Sequence, residues 1–301
     1  MHRNIRLAIT LASTLFAELL AAQEVQWLTA SPADWLLNPV TPVDVLCAGD
    51  PDHVYVAHLD AIAYIYSQPM GAVTLSRQAA DGTVLWSVIL GDTVEVESIA
   101  SDADGNVVLG GRYFQRLLVD GDPVLIYPPD HITEGSFICS WNADGQLLWQ
   151  QDVSGGEFDD VSVASIALDA QGRFWAALST FFSAEIVRLG TDGSPVESRS
   201  FVESKTIGSI SFDPWGGLYV AGAAGSPGIT VNGTAYAVTE NYAFFLTRLN
   251  AAGEAQWLRY AHDITFQKPR VQADQGGHAC LIGSYFEPLM WGTIPFADPL
   301  W

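Results

Sequence analysis

The 301-residue chain carries 34 acidic side chains against 13 basic ones, a net charge of −21. A chain this acidic repels phosphate backbones and anionic bilayer surfaces, which sets aside nucleic acid and membrane surfaces as partners and leaves cations, basic proteins and neutral glycans. Apolar residues make up 49% of it, enough for a large core, and the length suits one repeat domain as well as two ordinary domains.

Arg3 and Arg6 precede a short apolar run, Leu7 to Phe16, and Leu20-Ala21-Ala22 offers small residues at a cleavage site before Gln23. This order predicts a cleaved export signal over residues 1–22, with a retained interfacial anchor as the alternative. The apolar run is too short to span a bilayer, and no other stretch is long enough for a transmembrane helix. The mature chain is therefore expected to be secreted, periplasmic or at the cell surface. Gln23-Glu-Val-Gln-Trp27 reads as a detached strand.

From residue 43 onward one pattern recurs: an apolar strand, an Asp-x-x-Gly turn and a second apolar strand. A degenerate first copy, Leu46-Cys-Ala-Gly49-Asp-Pro-Asp-His53, is followed by Ile99-Ala-Ser-Asp102-Ala-Asp-Gly105, Ile166-Ala-Leu-Asp169-Ala-Gln-Gly172, Ile210-Ser-Phe-Asp213-Pro-Trp-Gly216 and Val271-Gln-Ala-Asp274-Gln-Gly-Gly277. An apolar residue stands three positions before each Asp. Apolar runs such as Leu218-Tyr-Val-Ala-Gly follow the turns, as in strands buried within a stack of sheets.

A second hairpin alternates with the first. It reads Ala80-Asp81-Gly82-Thr-Val-Leu-Trp86, then Asn142-Ala-Asp144-Gly145-Gln-Leu-Leu-Trp149, and later Asn250-Ala-Ala-Gly253-Glu-Ala-Gln-Trp257; Thr191-Asp192-Gly193 keeps the turn and loses the Trp. Asp-Gly favours a tight hairpin because Gly accepts positive φ and Asp bonds its own backbone. The Trp supplies a large apolar plate to wedge between neighbouring units.

Pairing these copies places units at about 43–91, 97–155, 163–202, 207–262 and 268 onward. Short strands and turns with a period of a few tens of residues mean that no unit buries its apolar faces alone. The predicted fold is all-β: a β-propeller over residues 23–301, with four-stranded antiparallel blades, four of them whole and the fifth incomplete. A third strand and an Asp-Gly-type turn are expected beyond Trp301; the alternative is a ring closed irregularly by the strand at residues 23–27.

Three cysteines, Cys47, Cys139 and Cys280, are too few for a disulfide framework, and each falls within an apolar strand pattern. Buried, inert thiols are expected, with a single cross-blade disulfide as the alternative.

The combination Ile-x-x-Asp-x-x-Gly-Asn, a valley hairpin such as Val119-Asp120-Gly121 or Val231-Asn232-Gly233, and Gly-x-x-x-Trp resembles the SBBP-type β-propeller repeats of exported bacterial proteins. The resemblance covers about residues 43–301. It implies a propeller and export, and members often carry further blades, adhesion-like domains or a C-terminal sorting domain. The family has no shared reaction, so the resemblance implies no catalytic residue.

Two readings are open for Asp102, Asp169, Asp213 and Asp274. They line one end of the ring and bind a ligand or cation there, or each merely begins a turn by accepting backbone hydrogen bonds. Asp102-Ala-Asp104-Gly105-Asn106 lacks the ligands that would complete a calcium loop. His53 and His278 share a position after the turn, and a metal site between them would need another ligand. No metal or cofactor is therefore predicted. The excursions from Gln115 to Gly135 and from Ala224 to Asn241, with Tyr127, Tyr236 and Tyr242, are the candidate binding surfaces; the alternative is a hairpin that extends its own blade.

The sequence contains no HExxH, no Gly-x-Ser-x-Gly and no phosphate-cradling glycine loop. The expected function is a non-enzymatic exported scaffold that binds protein or glycan. A polysaccharide hydrolase or lyase using acidic side chains is the alternative.

Overall fold

The computed structural model describes residues 44–50, 52–59, 63–65, 68–126, 134–154, 161–180, 183–262, 268–282, 290–291 and 294–295. The expected export signal, the strand at residues 23–27 and Tyr127 lie outside them. The protein is all-β, and its strands pair antiparallel.

Unit one comprises β1 (Asp44–Asp50), β2 (His53–Leu59), the short β3 (Ala63–Ile65), β4 (Gln68–Ala79) and the first half of β5 (Val84–Ser101). Unit two takes the second half of β5, then β6 (Val107–Phe114), an inserted hairpin of β7 (Arg116–Val119) and β8 (Asp122–Ile126), β9 (Glu134–Trp141) and β10 (Leu147–Asp152). Unit three is β11 (Ser162–Leu168), β12 (Phe174–Ser179), β13 (Ser183–Leu189) and β14 (Pro195–Val202). Unit four is β15 (Ser204–Phe212), β16 (Leu218–Ala224), the hairpin β17 (Gly228–Val231) and β18 (Thr234–Ala237), β19 (Ala243–Leu249) and β20 (Ala255–His262). β21 (Arg270–Ala273) and β22 (Ala279–Ile282) begin unit five, followed by β23 (Met290–Trp291) and β24 (Ile294–Pro295).

Units one to four are each a four-stranded antiparallel meander. The boundary between the first two differs from the sequence expectation: residues 92–96, which the expected units leave between them, are the middle of β5, an 18-residue strand that serves both units. Units one and two thus share one ten-stranded sheet, which curls so that β1 packs against β5.

The hairpin turns are of two kinds. In Asn142-Ala-Asp-Gly145 and its counterparts only the Gly is left-handed, as at Gly145 (φ 82°) and Gly253 (φ 84°), and its N–H closes onto the carbonyl three residues back. They are therefore three-residue loops rather than two-residue Asp-Gly turns. The two-residue type I′ turns occur at Asp120-Gly121 (φ 50° and 90°) and Asn232-Gly233 (φ 44° and 86°).

Those type I′ hairpins do not extend their own unit. β7 pairs with β5 at Leu90↔Val119, on the outer strand of unit one, and β17 pairs with β14 of unit three at Phe201↔Val231. β23 pairs in the same way with β20 of unit four, at Ala261↔Trp291. Each inserted hairpin therefore clasps the exposed edge of the preceding unit, satisfying edge N–H and C=O groups that would otherwise face water or another chain.

One apolar layer lies between each pair of consecutive units. Leu75, Leu90, Leu109 and Trp141 belong to the first, Val108, Val163 and Ile166 to the second, Trp175, Phe201, Ile210 and Phe245 to the third, and Tyr219, Leu246 and Val271 to the fourth. Burying each large side chain contributes ~1.5–3 kcal/mol. No unit keeps such a layer by itself, so cohesion is a property of the array.

Buried serines join the first strands across these layers. Ser98 Oγ accepts the Ile166 N–H at 2.8 Å, Ser165 Oγ the Ile210 N–H at 3.2 Å and Ser211 Oγ the Ala273 N–H at 2.9 Å. The first strand of a unit is a sheet edge whose outward N–H groups have no ladder partner, and the preceding unit's hydroxyl supplies one. β-Bulges between Val96 and Ser98, Val163 and Ser165, and Ile207 and Ser209 recur at the same place in the repeat.

The cysteine expectation needs one correction. Cys139 is buried, with its thiol pushed up by desolvation, but Cys280 is exposed, because it alternates on β22 with Leu281, which packs on unit four. Cys47 lies where side chains are not described.

Candidate binding face

Asp102, Asp169, Asp213 and Asp274 occupy equivalent corners. At each, the Asp N–H and C=O bond the residues four and three positions on, as in Asp213 N–H to Gly217 O at 2.8 Å and Gly216 N–H to Asp213 O at 3.0 Å. The carboxylates are committed to the same turns. Oδ1 of Asp102 accepts from Asp104 and Asn106 N–H, and Oδ1 of Asp169 from Gln171 and Arg173 N–H. Oδ1 of Asp213 accepts from Trp215 and Gly217 N–H, and Oδ1 of Asp274 from His278 N–H.

Further donors tune three of them. Burial opposes ionisation of Asp169, but hydrogen bonds from Trp175 Nε1 (2.9 Å) and from Arg173 outweigh it and hold the carboxyl below its usual range. At Asp213 burial is likewise outweighed, chiefly by Arg248, which reaches Oδ2 at 2.7 Å. Asp274 is lowered first by the His278 N–H and then, against slight desolvation, by the His278 ring, 3.1 Å from Oδ2. All three are fixed anions at neutral pH.

Three of the four come together. Asp169, Asp213 and Asp274, from units three, four and five, line a single cavity of ≈ 340 Å³ with Pro214, Gln272 and Gln275. Asp102 is not part of its wall. One residue after Pro214 stands Trp215, 65% exposed, its ring lying over Gly277 of unit five with no room for a Cβ there. Trp215 went unremarked in the sequence, although a Trp inside a turn rather than a strand was the signal for an aromatic left in solvent.

Neither Tyr236 nor Tyr242 lines this cavity. Tyr236, on β18, is half-buried and packs against the layer between units three and four; Tyr242 is half-buried too, and desolvation pushes its phenol up. The Tyr236 hairpin is engaged in clasping unit three, which accounts for the burial of Tyr236, whereas Tyr242 stands just before β19.

A second charged group lies at the far end of the first strands, ~16 Å or more from the aspartate turns at ~3.3 Å per strand residue. Glu97 Oε1 accepts from Lys268 at 3.2 Å and lies 3.6 Å from Arg112 Nε, and Arg112 Nη1 reaches Glu134 Oε2 at 3.3 Å. Glu95 pairs across the ladder with Arg112. Desolvation, then the Glu97 charge, push its carboxyl up to about 7. Nothing in the repeat pattern pointed to this group, since Glu95 and Glu97 fall outside the recurring motif.

Among the described residues, no three His, Cys, Asp or Glu side chains form a group able to hold a metal ion, and no helix is long and apolar enough to cross a membrane. Comparison with known protein families finds no family model that matches the chain, and no curated protein matches it.

Proposed function

We propose that the chain is an exported, non-enzymatic β-propeller of SBBP-like repeats, whose units are its blades and which binds a protein or glycan on the face made by the Asp-x-x-Gly turns. The observation that carries this reading is the convergence of three successive turns on one cavity of ≈ 340 Å³, with the exposed Trp215 beside it. Fixed anions and amide side chains offer acceptors and donors to hydroxyls or cationic groups, and an indole offers a platform for a sugar face or an aliphatic chain. The carboxylates are anchored by hydrogen bonds within their own turns and held ionised, which suits a rigid binding surface better than a proton-transferring pair. The predicted export signal and the net charge of −21 favour an extracytoplasmic site and a partner that is not itself polyanionic.

The test is retention on immobilised mature protein of a panel of neutral polysaccharides and of an Arg/Lys-rich peptide. Trp215→Ala is expected to weaken retention roughly tenfold, as for an aromatic anchor, with only a small loss of melting temperature from its contact with Gly277. Retention of neither class removes the proposal. Release of reducing sugar from a polysaccharide puts the hydrolase or lyase reading in its place.

A further inference from the structure

What the cavity at the Asp-x-x-Gly turns can take up follows from which of its groups a ligand can touch; the inference rests on that face being the binding face. Asp169 and Asp213 border the cavity, yet their side chains are 2% and 0% exposed. Each is matched by its own guanidinium, with Arg173 Nη2 and Arg248 Nη2 2.7 Å from the respective Oδ2. A ligand cannot reach these two carboxylates, and charges paired this closely largely cancel beyond the pair. Asp274 is the one of the three open to contact, its side chain 59% exposed.

The rest of the polar wall is uncharged. Gln272 and Gln275 are both exposed on it. An amide side chain carries donors and an acceptor side by side, which matches neighbouring hydroxyls that themselves donate and accept.

Trp215 is held in place before any ligand arrives. Pro214 fixes the φ that leads into it, the Trp215 N–H donates to Asp213 Oδ1 at 3.0 Å, and the ring occupies the space left by the missing Cβ of Gly277. Gly277 is itself tied down, its carbonyl accepting from Tyr219 Oη at 2.7 Å. A platform so anchored loses little freedom on binding.

An aromatic plate beside a pocket of amides is complementary to a pyranose ring, which has an apolar C–H face and a rim of hydroxyls. The volume of ≈ 340 Å³ falls at the lower end of the ~300–1,000 Å³ usual for small-ligand clefts. A Lys or Arg side chain would instead need accessible, uncompensated carboxylates, and two of the three are shut away.

We propose that the cavity takes an uncharged sugar residue of a neutral polysaccharide, its ring against Trp215 and its hydroxyls bonded to Gln272, Gln275 and Asp274, and that a basic peptide is not its ligand.

Affinity electrophoresis of the mature protein through gels holding dextran, galactomannan, arabinoxylan or hydroxyethylcellulose tests this, beside capture of a Lys/Arg-rich peptide, each at ~0.05 and ~0.5 M salt. At least one of these polysaccharides is expected to retard the protein, to the same degree at both salt levels because no ionic contact is made. Gln275→Ala, an exposed change, is expected to weaken the retardation ~3- to 10-fold and Trp215→Ala roughly tenfold, while Trp215→Phe keeps most of it. Retardation that neither alanine variant diminishes overturns the inference, as does retardation that vanishes at the higher salt. Peptide capture sensitive to Trp215→Ala, with no polysaccharide retained, also overturns it but leaves the binding face standing. Retention of neither class removes both.

Discussion

The indole of Trp86 lies on Gly145 of the following unit, its Nε1 donating to the Ala143 carbonyl at 2.8 Å, and a Cβ on Gly145 would come within 2.9 Å of the ring. Trp149 covers Gly193 in the same way one unit further on. Unit three has no Trp at this offset, and Arg199 takes the place: it stacks 4.6 Å from the Trp175 ring and donates to Ala251 O of unit four at 3.3 Å. Gly145→Ala therefore meets both a left-handed φ and an occupied space, and is expected to lower stability by ~2–4 kcal/mol. Gly121→Ala, at φ 90° with nothing within 4 Å, meets only the first and is expected to cost ~1 kcal/mol. Urea denaturation of the two variants checks the difference.

Ser98→Ala leaves the buried Ile166 N–H without its acceptor. The expected loss is ~1–3 kcal/mol, the cost of an unsatisfied buried donor, far above that of removing an exposed hydroxyl. Ser194→Ala, which removes an exposed hydroxyl bonded only within its own turn, serves as the control in the same denaturation series and is expected to cost under ~1 kcal/mol.

Asp169→Asn tests the turn carboxylates through pH. The carboxyl is held below its usual range in the folded protein, so the stability it contributes is present above the unfolded-state value and is lost as pH falls through the folded one. The variant is expected to melt lower than wild type at pH 7, with the gap closing in acid below the ordinary aspartate range of ~4. A gap independent of pH would locate the effect in lost packing instead.

Glu95→Gln works in the opposite direction. The folded carboxyl is raised to about 7 from an ordinary 4.5, so the folded state binds the proton more tightly and loses stability as pH climbs between those values. The variant is expected to match wild type near pH 4 and to exceed it by ~1–3 kcal/mol at pH 8. Chemical denaturation at the two pH values measures this.

Asp120 holds a φ of 50°, and its Oδ1 accepts the Ile89 N–H of the preceding unit at 2.9 Å. Asp120→Ala removes that bond and a side chain tolerant of the left-handed region. It is expected to cost ~1–2 kcal/mol and to raise amide exchange in β7 and at Ile89 before the rest of the protein.

Strand content, turn positions and the order of units were legible in the amino-acid order, because these follow from local chemistry. Ile99, Ile166, Ile210 and Val271 mark the first strands, and Gly105, Gly172, Gly216 and Gly277 the corners that only a left-handed residue closes without strain. The role of the four aspartates as turn acceptors was among the readings the sequence offered, since a carboxylate two and four residues from free N–H groups bonds them wherever the chain lies. Tertiary structure alone decided which unit each element serves. β7 and β17 clasp the preceding unit because strand pairing depends on which edge lies alongside, and an alternating pattern is the same for either edge. The meeting of Asp169, Asp213 and Asp274 at one cavity, and of Glu95 and Glu97 with Lys268, brings together residues tens to nearly two hundred positions apart. Local sequence records what each residue does to its own backbone; the electrostatics and solvent access of these groups come from neighbours delivered only when the units stack.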